Sequence, residues 1–177
     1  MKVTLLGQIS AQFDRAVKKG AIPAEVAKAQ MEKLAQALDD FLAGKVVDPA
    51  AVSPIPGIQQ LVAAIVHQDG PGMRALLGTD PVDAAAKIAV PVLVLNGLKD
   101  VQIDPERDAK RLVTTLGAHA TLVLPPDANH VFKHEPKTMD ELHADPKAAQ
   151  DWYNAAEAVL DQVSVDAIEQ WLAEHTR

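Results

Sequence analysis

Cysteine is absent from the 177-residue chain. That removes disulfides, thiolate metal centres and a cysteine nucleophile together. Basic charge is scarce: 17 Lys and Arg face 24 Asp and Glu, giving a net charge of -7, with no Lys/Arg run. Phosphate binding starts from a basic patch, so no nucleic-acid partner is expected. Aromatic residues are few, with Phe13, Phe41, Phe132, Trp152, Tyr153 and Trp171 the whole set, which leaves little for base stacking. No apolar run reaches the roughly 18 residues of a spanning helix. The N-terminal apolar stretch is also too short for a secretory signal. What is plentiful is alanine and aliphatic side chain, with 48% hydrophobic residues in 18.9 kDa. The reading is one cytoplasmic domain over residues 1–177, with no membrane partner.

Along the chain, residues 1–8 (MKVTLLGQ) read as a first strand, with Val3, Leu5 and Leu6 apolar and Gly7 ending it. Residues 22–43 place Ile22, Val26, Leu34, Leu38, Phe41 and Leu42 at helical spacing, between Pro23 and Gly44. Residues 45–57 hold three prolines and form a connection. A helix with Ile58, Leu61, Val62, Ile65 and Val66 on one face follows, until Gln68-Asp-Gly-Pro-Gly72 breaks it. Shorter helices are expected over 73–77 and 81–87.

The pattern then changes. Residues 90–95 (VPVLVL) are a continuous apolar run before Asn96-Gly97, as in a parallel strand covered on both faces. Asp104-Pro105 opens a helix with Ala109, Leu112, Val113 and Leu116 inward, and residues 120–124 (ATLVL) make a second buried strand. Together they form a βαβ unit. Helices over 147–161 and 164–175 close the chain, the last capped by Ser164 and burying Val165, Ile168, Trp171 and Leu172.

In an open parallel sheet, ligands gather beyond the carboxyl ends of the strands. Asp100 follows the first of these strands and His130 follows the second. A carboxylate in that place can hold an imidazole in one tautomer and stabilise its protonated form. The strand ending in Asn96-Gly97-x-x-Asp100, the strand followed by Pro126-x-x-x-His130 and the last helix through Ile168–His175 resemble the C-terminal half of an α/β-hydrolase. The resemblance covers residues 79–133 best. It implies that Asp100 is a triad acid and His130 its general base. It also implies that residues 9–78 are a helical cap-like region and residues 79–177 the C-terminal half of the core. The implied fold is a three-layer α/β sandwich with a small, mostly parallel sheet.

The departure from that family is equally plain. Its nucleophile sits in a G-x-S-x-G elbow, and the chain has neither this motif nor its Cys or Asp equivalents. The only serines are Ser10, Ser53 and Ser164. Ser10, just after the expected first strand, is the one candidate nucleophile, against an ordinary helix-capping role. The chain is therefore read as an esterase-like, truncated hydrolase fold, catalytically incomplete alone, with room for a small apolar ligand lined by helices 22–43 and 58–68. The alternative is half of a split serine hydrolase, acting on an ester or thioester and completed by another chain.

Other constellations read as solvated loops. His130, His134, Glu135 and His143 lack the order of a helical zinc motif. The acidic loop 135–145 lacks calcium-loop spacing, so no metal and no cofactor is expected. Asp127 and Asn129 either orient His130 or turn the chain. A half-sheet would leave the strand at Val3–Leu6 without its neighbour, and an unpaired apolar edge invites association. A homodimer through that edge is the expectation.

Overall fold

The computed structural model describes residues 1–67 and 71–176. The chain is a mixed α/β protein in two compact units, Met1–Pro81 and Val82–Arg177. The first unit is helical, with α1 (Lys2–Lys18), α2 (Ala24–Leu42), α3 (Pro49–Val52), α4 (Pro56–His67) and α5 (Pro71–Gly78). Helix α6 (Pro81–Ala85) begins at the junction. The second unit holds β1 (Val92–Leu95), α7 (Lys110–Leu116), β2 (Ala120–Val123), α8 (Met139–Ala144), α9 (Pro146–Trp152) and α10 (Gln162–His175).

The first correction concerns the N-terminus. Residues 1–8 are not a strand: Lys2 begins a 17-residue helix that runs through Gly7. Thr4, Ile9 and Phe13 are buried along it, with Leu5, Leu6 and Val17 packed beside them, which is a helical rather than an alternating repeat. A strand needs a neighbour to satisfy its backbone groups, whereas a helix satisfies most of its own. With no strand beside it, the segment takes the self-sufficient form, and Gly7 costs it only about 1 kcal/mol. No strand edge exists at Val3–Leu6 through which two copies could pair.

Helix α2 follows its sequence pattern. Ala27, Gln30, Leu34, Ala37, Leu38 and Phe41 are buried at intervals of three and four. Burial of a Leu or Phe side chain contributes about 1.5–3 kcal/mol, and Leu34, Leu38 and Phe41 are the best covered of this set. Gly44 follows the helix at φ +78° while Lys45 N–H donates to Asp40 C=O, a left-handed stop suited to glycine. Val52, Val62, Ile65 and Leu77 complete this core. The expected break at 68–72 lies largely outside the described residues, and the chain is helical again from Pro71.

In the second unit β1 and β2 are parallel, with Val92 opposite Ala120 and Leu95 opposite Val123. Val94 packs with Ala109, Leu116, Leu112 and Val113 on the α7 side. Leu93, Thr121 and Val123 face Val163, Ala167 and Trp171 of α10. The two strands thus lie between helices, which is why they read as continuous apolar runs. Among the described residues the sheet has these two strands only.

Three expectations near the C-terminus need correction. Asp161, not Ser164, caps α10: its Oδ2 accepts from both the backbone N–H and the hydroxyl of Ser164. Ser164 is buried one turn inside. Ile168 and Leu172 are 39% and 44% exposed, so α10 buries less than its apolar pattern suggests. The helix expected over 147–161 ends at Trp152. Beyond it Val159 C=O accepts from His134 N–H, and Asp161 N–H donates to Phe132 C=O. That pairing with the His130 loop takes the backbone groups a longer helix would have used.

Candidate functional site

Asp100 and His130 meet beyond the carboxyl ends of β1 and β2. His130 Nδ1 donates to Asp100 Oδ2 at 2.9 Å. A carboxylate only accepts, so the contact places the proton on Nδ1 and leaves Nε2 as the free base. The Asp100 side chain is 5% exposed and that of His130 35%. The acid is held from within while the imidazole reaches the surface.

Asp100 is fixed from several sides. Its Oδ1 accepts from the backbone N–H groups of Gln102 at 2.7 Å and Ile103 at 2.9 Å. The buried Asn96 amide lies 3.4 Å from Oδ2 and donates to Gly97 C=O at 3.1 Å. A buried carboxylate survives when such donors replace its water. The Asp100 hydrogen bond raises the His130 pKa above its ordinary value, against the opposing pull of partial burial.

The two loops are tied together in register. Asn96 N–H donates to Val123 C=O, Leu98 N–H to Pro125 C=O and Lys99 N–H to Ala128 C=O, at 3.2, 2.9 and 3.1 Å. Gly97 permits this approach, since a Cβ there would stand 2.0 Å from the Ala128 carbonyl oxygen. Lys99 adds a cross-link, with its ammonium 2.7 Å from Asp127 and 2.6 Å from Glu135 C=O. The Lys99 bond holds the exposed Asp127 carboxyl below its usual pKa.

On the base side, Asn129 turns the chain. Its buried Oδ1 accepts from Val131 and Lys133 N–H at 3.1 and 3.0 Å. Phe132 completes the turn at φ +55°, the one described non-glycine residue with positive φ, a conformation that costs a bulky side chain energy. Of the two flanking residues raised from the sequence, Asn129 shapes the His130 loop and Asp127 serves the Lys99 bridge.

Ser10 lies inside α1, in the first unit, whereas Asp100 and His130 belong to the second. It does not cap a helix, because α1 starts at Lys2, and it sits on regular helical backbone rather than a strained elbow. Ser53 is buried in a turn, with Oγ accepting from Ile55 N–H. The histidines considered for metal are dispersed: His134 serves the backbone pairing with Val159, and its carbonyl accepts from Trp152. Among the described residues no cluster of three or more His, Asp or Glu is arranged to hold a metal ion.

Two concavities are relevant. One, of about 300 Å³, adjoins the dyad and is lined by Val94, Leu95, Ile103, Leu112 and Phe132 with Asp108 at its side. The other, of about 530 Å³, lies wholly in the first unit between α1 and the start of α4. Of the expected 22–43 segment only Ile22 lines it, while α1 supplies Ile9 and Phe13.

Sequence reasoning passed over three contributors. Gly97 was visible only as part of a turn, and its close approach is a property of the paired loops. Phe132 carries no local signal for positive φ. Tyr153 lies far along the chain, yet its ring centre is 6.2 Å from that of His130 and its hydroxyl is 3.4 Å from the Gln102 amide. Burial raises the Tyr153 pKa, which keeps it a neutral phenol.

Comparison with family models, with curated proteins and with solved structures gives no match. Among the described residues no helix is long and apolar enough to cross a membrane.

Proposed function

We propose that the chain is an α/β-hydrolase-like module that keeps the acid–base half of a hydrolytic centre and is catalytically incomplete by itself. One observation carries the reading: the 2.9 Å bond from His130 Nδ1 to a buried Asp100 that is held in turn by two backbone N–H groups. A histidine so oriented presents Nε2 as a general base and can store the proton it takes as an imidazolium stabilised by Asp100. The apolar depression beside it suits a small ligand. Ser10, the remaining candidate nucleophile, lacks the strained turn that exposes and activates such a serine. The test is hydrolysis of a short p-nitrophenyl ester by purified wild type beside His130→Ala. Equal, background rates are expected. Turnover abolished by His130→Ala would overturn the incomplete reading and make Ser10→Ala the next variant.

The second reading is a split serine hydrolase for carboxylic esters or thioesters. The preformed dyad favours it, because a base already oriented on its acid needs only a serine hydroxyl delivered to Nε2. Adding a chain that carries a G-x-S-x-G half should then create ester turnover that His130→Ala removes. Turnover indifferent to His130 would refute it.

A further inference from the structure

We propose that the depression beside the dyad is a binding site for a small neutral aliphatic molecule whose hydroxyl donates a hydrogen bond to His130 Nε2. The inference rests on the Asp100–His130 pairing and adds the chemical class of the occupant. In the neutral ring, with Nδ1–H engaged by Asp100, the other ring nitrogen is an acceptor. Among the described residues it has no hydrogen-bond partner. The residues around the depression include no Ser, Thr, Lys or Tyr that could donate to it, and the one amide there, Asn96, is spent on Gly97 C=O and Asp100 Oδ2. The donor therefore has to arrive with the occupant or be water.

The walls fix the rest of the class. Val94, Leu95, Ile103, Leu112 and Phe132 present hydrocarbon, so the body of the ligand is apolar. Its charge is set by the two carboxylates at the site. Asp100 is already met by His130 and backbone donors, and Asp108 by Arg107 at 2.6 Å and by the Asp104 N–H at 3.2 Å. An anion would face both carboxylates. A cation would lose its water against hydrocarbon and gain only acids that are already paired. A neutral alcohol meets neither cost. At about 300 Å³ the space is at the small end for ligand sites, which suits a short aliphatic chain.

The test uses the full chain with ¹⁵N-labelled histidine, at a pH above the measured His130 midpoint so that the ring is neutral, and two probes of equal heavy-atom count, 1-butanol and methyl propyl ether. The alcohol can donate to Nε2 and the ether cannot. The expected result is a saturable shift of the His130 Nε2 resonance with butanol and little with the ether, weakened at least tenfold by Leu112→Trp. Equal responses to both probes, no response to either, or a butanol response that survives Leu112→Trp would each overturn the proposal. The ether comparison stands even if Leu112→Trp fails to fold. The same spectra separate this failure from that of the dyad. A free-protein spectrum without a protonated, Asp-bonded Nδ1 sinks the pairing itself, whereas an intact Nδ1–H with no butanol response sinks the ligand class alone.

Discussion

Replacing Gly97 with alanine would place a methyl carbon 2.0 Å from the Ala128 carbonyl oxygen, 2.5 Å from its carbonyl carbon and 2.9 Å from its Cβ. Real Cβ contacts are essentially never below 3.0 Å, and most of this obstacle is backbone, which cannot rotate aside. The loops after β1 and β2 must therefore part by at least about 1 Å. The Lys99–Ala128 and Leu98–Pro125 bonds, now 3.1 and 2.9 Å, would open past the range in which such bonds hold. Losing two at about 1 kcal/mol each, with strain added, makes the cost on the order of 2–4 kcal/mol. For a cooperative unit of 60–100 residues that lowers Tm by roughly 8–30 °C. The assay is thermal melting by circular dichroism, with the His130 Nδ1–H signal followed in parallel. Gly57→Ala is the control, since a Cβ there meets nothing within 4 Å. If Gly97→Ala melts with wild type and keeps the Nδ1–H signal, the close approach does not set the dyad and the reasoning fails.

Asp100→Asn removes the charge that favours the imidazolium, so the His130 pKa should fall toward its ordinary value of about 6.5 in an NMR titration; an unchanged midpoint would deny the pairing. For the linked stability, a folded pKa raised above the unfolded one contributes fully below about pH 6.5 and is lost as pH rises through the folded value. Wild type should accordingly exceed His130→Gln in denaturant midpoint by more at pH 5.5 than at pH 8.5, and the reverse order would contradict the direction of the shift. Asp161→Ala removes the cap of α10 and the acceptor of the buried Ser164 hydroxyl, costing about 1–2 kcal/mol in urea unfolding. Ser164→Ala, which leaves the cap acceptor of the backbone N–H in place, should cost less.

The legible parts of the sequence were those set by local pattern. Helix α2 was marked by its 3.6-residue repeat and by Gly44, whose positive φ ends it. The strands were marked by apolar runs that only a covered sheet accommodates, and Asp100 and His130 by their places after those strands. What escaped depended on partners distant in sequence. MKVTLLGQ is compatible with strand or helix over so short a window, and the choice falls to helix because nothing pairs with it. The early end of α9 reflects Val159 and Asp161 bonding to the His130 loop, a contact across 25 or more residues of chain. Ser164 looked like a cap because it opens the apolar pattern, yet the helix starts at Gln162, and Asp161 accepts from the N–H and hydroxyl of Ser164 itself. Tyr153 had no pattern to betray it at all.

The helical N-terminus leaves β1 and β2 each with one side unpaired among the described residues, and β1 shows what such an edge offers. Asn96 N–H bonds to Val123, so by alternation Val92 and Val94 also turn their backbone groups toward β2, while Leu93 and Leu95 turn theirs away. That outer edge is only four residues long, preceded by Pro91 and followed by Asn96-Gly97. A short edge bounded by proline offers little template for a second chain. The same brevity bears on the site. Two four-residue strands alone are a weak platform, and a dyad placed beyond their ends would inherit that weakness. Its order must come from what lies past the strands: the Gly97–Ala128 contact, the Lys99 bridge to Asp127 and Glu135, the Asn129 turn and the Asp161–Phe132 bond. The Asn129 turn fixes the base loop internally, and each of the others joins the acid loop, the base loop or the start of α10 to another of the three. The loops hold the strand ends in register as much as the strands hold the loops, so damage to the cross-links should disturb His130 even where β1 and β2 remain paired.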